Sequence, residues 1–278
     1  MLPIITHCFV NRNQTTTKPR TSFGSTEAII RNALNKEIPT SSYFIRGDIP
    51  WHSLVKYIDR NFQTPANVRF EACSDGSEIY TFILALLHEK ININKFTPIK
   101  ASDNCHAIID KTKKGVIGIG KSDAYNFGIY FPKLVTNFRK YFRPIQATAE
   151  ISRSNNESFI PHEVGSELRQ MIEFKQGDIL VNTAQSFSEP TIIFARNLIH
   201  TLSPHQKEYL AQNLARNLPP KSILALGQVE LQPEYAYVNG MFKHVIEKCF
   251  SPLKQLKPLH PSMDYYAIFK RNDIPYDL

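Results

Sequence analysis

With 278 residues, 42% hydrophobic and 21% charged, the chain is long enough to bury a core that offsets the ordering of its backbone, which excludes a disordered polyelectrolyte and suits one large α/β domain. The formal charge of +8 favours acidic partners, yet no Lys/Arg block with interleaved aromatics and no zinc-finger or RNA-recognition spacing occurs, so nucleic-acid binding is not the favoured reading. Cys8, Cys73, Cys105 and Cys249 form no C-x-x-C pair, so neither a metal site nor a disulfide framework is expected, and reduced thiols fit a cytoplasmic chain.

The opening stretch MLPIITHCFVNRNQ has too short an apolar run and no basic flank for a secretory signal, and no run of about 18 apolar residues is present to span a bilayer. Residues 1–40 are polar and rich in Thr, Ser and Asn, and read as a partly ordered arm with one short helix around 25–35. An export signal for specialised secretion into a host cell, carried by this arm, stays open. Residues 41–278 read as a single domain with a Pro-punctuated insertion at about 232–262.

In PWHSLVKYIDRNF the apolar residues Trp51, Leu54, Val55, Ile58 and Phe62 fall at helical spacing behind Pro50. Residues 67–72 (NVRFEA) then alternate as a short strand, followed by Cys73, Ser74, Asp75, Gly76 and Ser77 and an apolar helix over 78–89. Strand, small-residue turn and helix make a ligand-binding βα unit, in which a glycine admits close backbone approach and the helix start offers unpaired N–H groups. The next strand, 96–101, runs into Ser102, Asp103 and Asn104 before a helix over 105–114 that Gly115 terminates. A carboxylate at the end of a second strand can accept both ribose hydroxyls of an adenosine cofactor; the other role open to Asp103 is a helix N-cap.

Residues 131–142 (FPKLVTNFRKYF) read as an amphipathic helix, either a packing element or a lid. Ile172, Glu173 and Phe174 form a third strand, ahead of Gly177, Asp178, Ile179 and Leu180. TIIFA at 191–195 is a buried strand leading into Arg196, Asn197, Leu198, Ile199 and His200. Ser203, Pro204 and Gln206 supply the N-cap, first-turn proline and capping-box glutamine of a helix that runs to about 218, where two prolines stop it. SILALG at 222–227 is another buried strand, and the alternation calls for a mainly parallel sheet of Rossmann-like type with helices on both faces.

Six segments in order then resemble the chemotaxis receptor glutamate methyltransferases of bacteria, a CheR-type family of class I S-adenosylmethionine-dependent enzymes. Residues 42–46 (SYFIR) are similar to the family's T-x-F-F-R, 73–86 (CSDGSEIYTFILAL) to its C-S-T-G-E-E-P-Y-S-x-A turn and helix, and 101–104 (ASDN) to its S-D-I. Residues 194–202 (FARNLIHTL) are similar to F-C-R-N-V-L-I-Y-F, 226–230 (LGQVE) to x-G-H-S-E, and 265–271 (YYAIFKR) to the closing antiparallel edge strand.

The resemblance implies a cofactor, S-adenosylmethionine, giving S-adenosylhomocysteine as product, and a methyl acceptor that is a protein side chain or carboxylate. It implies that Arg46, Ala72, Cys73, Ser74, Gly76, Glu78, Asp103, Asn104, Asp178, Ile179, Arg196 and Asn197 lie around the cofactor. Glu78 is assigned to the methionine amino group, Asp103 to the ribose, Asp178 to the adenine, and Arg46 to the substrate or the sulfonium end. The family's tyrosine after R-N-x-x-I becomes Thr201, so Arg46, His200 and Thr201 are the catalytic candidates, with His200 the base an amine or hydroxyl acceptor would need. Direct in-line transfer draws its rate from orientation and desolvation. No segment reads as the family's small inserted β-subdomain, so an acceptor other than a chemoreceptor is expected. The second reading is a degenerate relative that binds cofactor or product as an interaction module; the lost tyrosine favours it, and the retained Asp103 and Glu78 oppose it.

Overall fold

The computed structural model describes residues 44–45, 49–62, 65–145, 151–152, 158–227, 230, 240–256 and 267–276. The arm, with its expected helix at 25–35, and Arg46 lie outside these residues. The chain alternates from the start: α1 (Trp51–Asn61), β1 (Asn67–Glu71), α2 (Ser77–His88), β2 (Ile99–Asp103) and α3 (His106–Lys113). A second block follows, with β3 (Val116–Ile119), α4 (Lys121–Tyr130), α5 (Phe138–Tyr141), β4 (Phe142–Pro144), β5 (Ile151–Ser152), β6 (Ser158–Val164) and α6 (Ser166–Arg169). Alternation then resumes through β7 (Ile172–Gln176), α7 (Ile179–Asn182), β8 (Thr191–Ala195), α8 (Pro204–Asn217) and β9 (Ile223–Leu226). The last elements are α9 (Gly240–Cys249), β10 (Phe250–Pro252) and β11 (Ile268–Arg271).

Seven strands form one sheet in the order β10-β11-β9-β8-β1-β2-β7. Pairing is parallel from β7 through β9, and antiparallel where β11 meets β9 and β10. The strand order reverses between β1 and β8, and the region beyond the carboxyl ends of the strands at such a switch point, here called the crevice, is the place where such sheets bind ligands.

Period-two alternation sends successive side chains to opposite faces, and two apolar clusters result. Ile192 and Phe194 of β8 and Ile223 and Ala225 of β9 join the cluster under α1 and α2. Ile193, Ala195, Leu224 and Leu226 join the cluster under α8 and α9. A one-residue slip of β8 would exchange the two sets, so its register is strongly specified. Phe70 and Phe194 stack with centroids 4.2 Å apart at the centre of the first cluster, and Trp51 of α1 stacks on Phe194 from the other side at 5.8 Å. α2 is buried almost all round because α1 and the second block cover the side turned away from the sheet.

Three expectations are corrected. Residues 116–164 contain a second, antiparallel sheet, β3-β6-β4 with β5 on β6, so an inserted β-subdomain is present between α3 and β7. Its strands escape a pattern reading because Val116–Ile119 is four residues with a glycine inside, and Ser158–Val164 is interrupted by Pro161. The stretch read as one amphipathic helix at 131–142 is a 3-10 turn, Pro132–Asn137, followed by the single turn of α5. The strand at the end of the chain is antiparallel as expected, but β10 pairs on its outer side, so β10 and not β11 is the edge. Of the segment 232–262, the described residues 240–252 are α9 and β10 of the main sheet.

Candidate active site

The backbone beyond β1 and β8 is tightly wound. Ala72, Ser74 and Gly76 have φ of 56°, 50° and 80°, and Asn197, after β8, has φ of 54°. Non-glycine residues adopt this left-handed region at a cost of about 1–3 kcal/mol each, so their clustering at the two strands that flank the crevice marks a constrained site. At Gly76 the turn also leaves little room, since an added Cβ would come 3.2 Å from Thr112 Cγ2. Asp75 Oδ1 accepts the Ser77 N–H at 3.0 Å and Thr112 Oγ1 donates to the Ser74 carbonyl at 2.7 Å, which pins the turn to α3. Burial first, then the carboxylates of Asp103, Asp75 and Glu71, push the Cys73 thiol well above its ordinary pKa, so it stays protonated and unreactive.

Asp103 ends β2 across from this turn. Its Oδ2 accepts the Ser74 N–H and its Oδ1 the Cys105 N–H, both at 3.1 Å, and the residue is only 7% exposed. Burial raises its pKa from the usual aspartate value, while the bonds from Cys105, Ser74 and Asn104 pull the other way. The N-cap of α3 is Cys105 and not Asp103, which corrects the helix-cap expectation: Asp103 braces the approach to α3 through the Cys105 N–H and faces the turn after β1. Asn104 is exposed beside it, its carbonyl accepting from Gln176 Nε2 at 3.0 Å.

A neighbouring group escaped the sequence reading. Glu71, at the end of β1, is 3% exposed, with Oε1 3.1 Å from Arg69 Nε. Its Oε2 accepts from the Ser102 hydroxyl and, at 2.8 Å, from Asn182 Nδ2. This network ties the tips of β1 and β2 to α7. Gly177 lets α7 come close, because a Cβ there would lie 2.9 Å from Asn182 Nδ2 and 3.2 Å from Ser102 Cβ. Asp178 is the N-cap of α7, its Oδ1 accepting the Leu180 N–H at 2.9 Å, and Ile179 is buried behind it.

On the other flank, Arg196 directs Nη1 to Glu78 Oε1 at 2.7 Å, with the arginine side chain fully buried and that of Glu78 20% exposed. The structure thus joins Glu78, in the first turn of α2, to the residue after β8. Past Asn197, Glu230 reaches in from beyond β9: its Oε1 accepts the N–H groups of Leu198 at 2.7 Å and Ile199 at 3.3 Å, and His200 Nδ1 lies 3.7 Å away. Glu230 was the last residue of the LGQVE resemblance, and that was the only signal for it. A Cβ at Gly227 would meet Glu230 Oε2 at 2.2 Å and Asn197 N at 2.8 Å, so only glycine fits where these loops cross. Thr201 is exposed, and its hydroxyl donates to the Leu198 carbonyl at 2.7 Å, a local turn bond. Ala72 to Glu78, Asp103, Arg196 and Asn197 thus follow the carboxyl ends of the adjacent strands β1, β2 and β8, whereas Thr201 lies on the exposed side of its own 3-10 turn.

Strand order, the antiparallel strands at one edge and the tight first turn define the fold class: a Rossmann-like, mainly parallel α/β sheet. Residues 136–245 match the family model described as CheR methyltransferase, SAM binding domain, and the chain resembles that CheR-type family. The matched span runs from α5 into the first part of α9 and starts beyond Asp103, so the turn after β1 is likened to the family by the motifs quoted above. Among solved structures, the chain is similar to a TehB-like SAM-dependent methyltransferase from Corynebacterium glutamicum at 15% identity, covering 81% of this chain and 88% of that one, with a TM-score of 0.39. It is also similar to the N-methyltransferase NodS from Bradyrhizobium japonicum, in complex with S-adenosyl-L-homocysteine, at 13% identity, covering 86% and 97%, with a TM-score of 0.41. A sequence search of curated proteins returns no match.

Proposed function

We propose that the chain transfers the methyl group of S-adenosylmethionine to a protein side chain, with a carboxylate as the acceptor class. The observation that carries this reading is Asp103: a buried carboxylate at the tip of β2, held by two backbone N–H groups opposite a tightly wound turn. An ionised carboxylate retains lone pairs after accepting one N–H per oxygen, so it can still receive the paired hydroxyls of a ribose. Glu78, partly exposed beside the buried Arg196, is an acceptor for an amino group, and Ser74, Gly76 and Asn197 bring backbone close to a guest. Ala72, Cys73, Asn104, Asp178 and Ile179 complete the wall. This donor and acceptor set fits the cofactor.

When bound, S-adenosylmethionine supplies an electrophilic methyl group on a cationic sulfur. The protein's share of the work is orientation and exclusion of water. A carboxylate acceptor is ionised at neutral pH and needs no general base. His200, whose Nδ1 lies 3.7 Å from Glu230 Oε1 in the turn after β8, supplies an imidazole for an acceptor that does need one. Charge supports an acidic acceptor: residues 106–144 hold Lys111, Lys113, Lys114, Lys121, Lys133, Arg139, Lys140 and Arg143 against Asp110 and Asp123. That excess steers acidic chains toward this side of the protein.

The test is incubation with methyl-labelled S-adenosylmethionine and a panel of acidic, neutral and basic polypeptides, followed by mild base. Volatile label released from the acidic polypeptide is the expected result, because carboxyl methyl esters hydrolyse to methanol. Base-stable label would refute the carboxylate acceptor and point to an amine. No transfer from a protein that still binds S-adenosylhomocysteine would favour the non-catalytic relative, which the local engagement of the Thr201 hydroxyl also favours.

A further inference from the structure

Away from the crevice, at the opposite end of α2, two imidazoles and a carboxylate converge. His52 Nδ1 lies 2.9 Å and His88 Nδ1 3.2 Å from the same oxygen, Glu89 Oε1. His88 is 7% exposed and the Glu89 side chain 9%, and the two rings are 4.5 Å apart under Phe131. The sequence reading expected no metal because the cysteines form no C-x-x-C pair, and it took no account of these three residues, which are split between α1 and the end of α2.

The hydrogen bonds decide which atoms are available. His52 Nε2 is 2.7 Å from the carbonyl oxygen of Tyr130, and a carbonyl can only accept, so Nε2 carries the hydrogen. In the neutral ring, Nδ1 then presents a lone pair toward the Glu89 carboxylate, and at 2.9 Å it has no hydrogen-bond geometry to any partner. Two facing lone pairs repel, and a cation between them removes the repulsion. An imidazole that donates one nitrogen to a backbone carbonyl and offers the other is the arrangement found at metal sites. His88 Nδ1 lies within hydrogen-bond distance of Glu89 Oε1 at 3.2 Å, and it offers that nitrogen to a cation in the tautomer that carries its hydrogen on the buried Nε2, which has no other partner.

We infer that His52, His88 and Glu89 form a binding site for a zinc ion or a similar borderline divalent metal, with a fourth position open to water. The three ligand atoms lie within 4.8 Å of one another. Zinc bonds of about 2.0–2.1 Å in tetrahedral geometry put ligand atoms about 3.3 Å apart, which the 2.9 and 3.2 Å separations approach. Lys56 Nζ, 2.7 Å from Glu89 Oε2, fixes the carboxylate so that Oε1 faces the rings. The ion sits at the carboxyl end of α2, where the helix dipole favours positive charge, and joins α1, α2 and the end of α4. α2 begins in the crevice at Ser77, so the ion would brace the helix that carries Glu78.

The test uses the full chain without an affinity tag, treated with chelator and titrated calorimetrically with zinc alone. One equivalent bound at micromolar or tighter affinity is expected, with about a 5 °C rise in Tm at saturation. His52→Ala and His88→Ala should each weaken binding at least about tenfold. Circular dichroism checks that each variant folds; if either fails, His52→Gln in its place carries the test, and cobalt absorption in wild type reports the ligand set directly. No binding, binding unchanged by the His52 and His88 variants, or binding abolished by Cys105→Ser would overturn the assignment and leave a protonated His52 as the occupant of the gap. S-adenosylhomocysteine affinity is read separately, so the outcome does not depend on the proposed transferase activity.

Discussion

Replacing Asp103 by alanine removes two bonds from buried backbone N–H groups of Ser74 and Cys105 and, in the proposed complex, the acceptor for both ribose hydroxyls. A hydrogen bond to a charged group contributes about 1.5–3 kcal/mol, and loss of two toward the ribose is worth about 3 kcal/mol, or roughly 100-fold in Kd. The stability loss should be smaller, about 2 kcal/mol, because loop relaxation and water can partly satisfy the freed N–H groups. Asp103→Asn keeps the shape and one acceptor oxygen and should weaken binding about tenfold. Calorimetric titration with S-adenosylhomocysteine, beside urea unfolding of each variant, separates the two effects. A folded Asp103→Ala protein that binds within about threefold of wild type would refute the assignment of Asp103 to the cofactor.

Because burial raises the Asp103 pKa, the folded state holds a proton more tightly than the unfolded chain in the window just above the ordinary aspartate value, so this group's contribution to stability falls as pH rises through that window. Cofactor binding should run the opposite way, weakening as pH drops through the same window because the ribose acceptor is neutralised; titrations taken from neutral pH down into the ordinary aspartate range that show no slope absent in Asp103→Asn would count against it. Glu78→Ala takes the carboxylate from the fully buried Arg196 guanidinium and should cost about 3 kcal/mol in urea unfolding as well as affinity, whereas a loss of affinity alone would assign Glu78 to the ligand only. Gly227→Ala forces a Cβ against Glu230 and the Asn197 backbone and should cost about 1–3 kcal/mol and impair S-adenosylhomocysteine binding; unchanged binding would show that the loop after β8 is not part of the site. Arg271→Met removes a buried guanidinium that donates to the carbonyls of Ala215, Cys249, Asn272 and Ile274, and a drop in Tm without a change in cofactor affinity is expected.

The sequence by itself determined the alternating elements, because buried parallel strands such as TIIFA and ILAL and a capped helix such as Pro204–Asn217 are local patterns with local causes. Its spacing also put a turn glycine and a strand-end aspartate at element boundaries, and the family resemblance added the Arg196-Asn197 pair. What spacing does not carry is partnership across the fold. Glu71 meeting Asn182 over 111 residues, Glu78 meeting Arg196 over 118, and Glu230 capping the loop after β8 are products of strand order, which only tertiary packing sets. The inserted sheet at 116–164 stayed hidden because its strands are short, broken by Gly118 and Pro161, and paired across gaps that leave no period. His52 and the His88–Glu89 pair come together for the same reason: α1 packs on α2, and the contact surface, not the sequence distance, decides which side chains share a point in space.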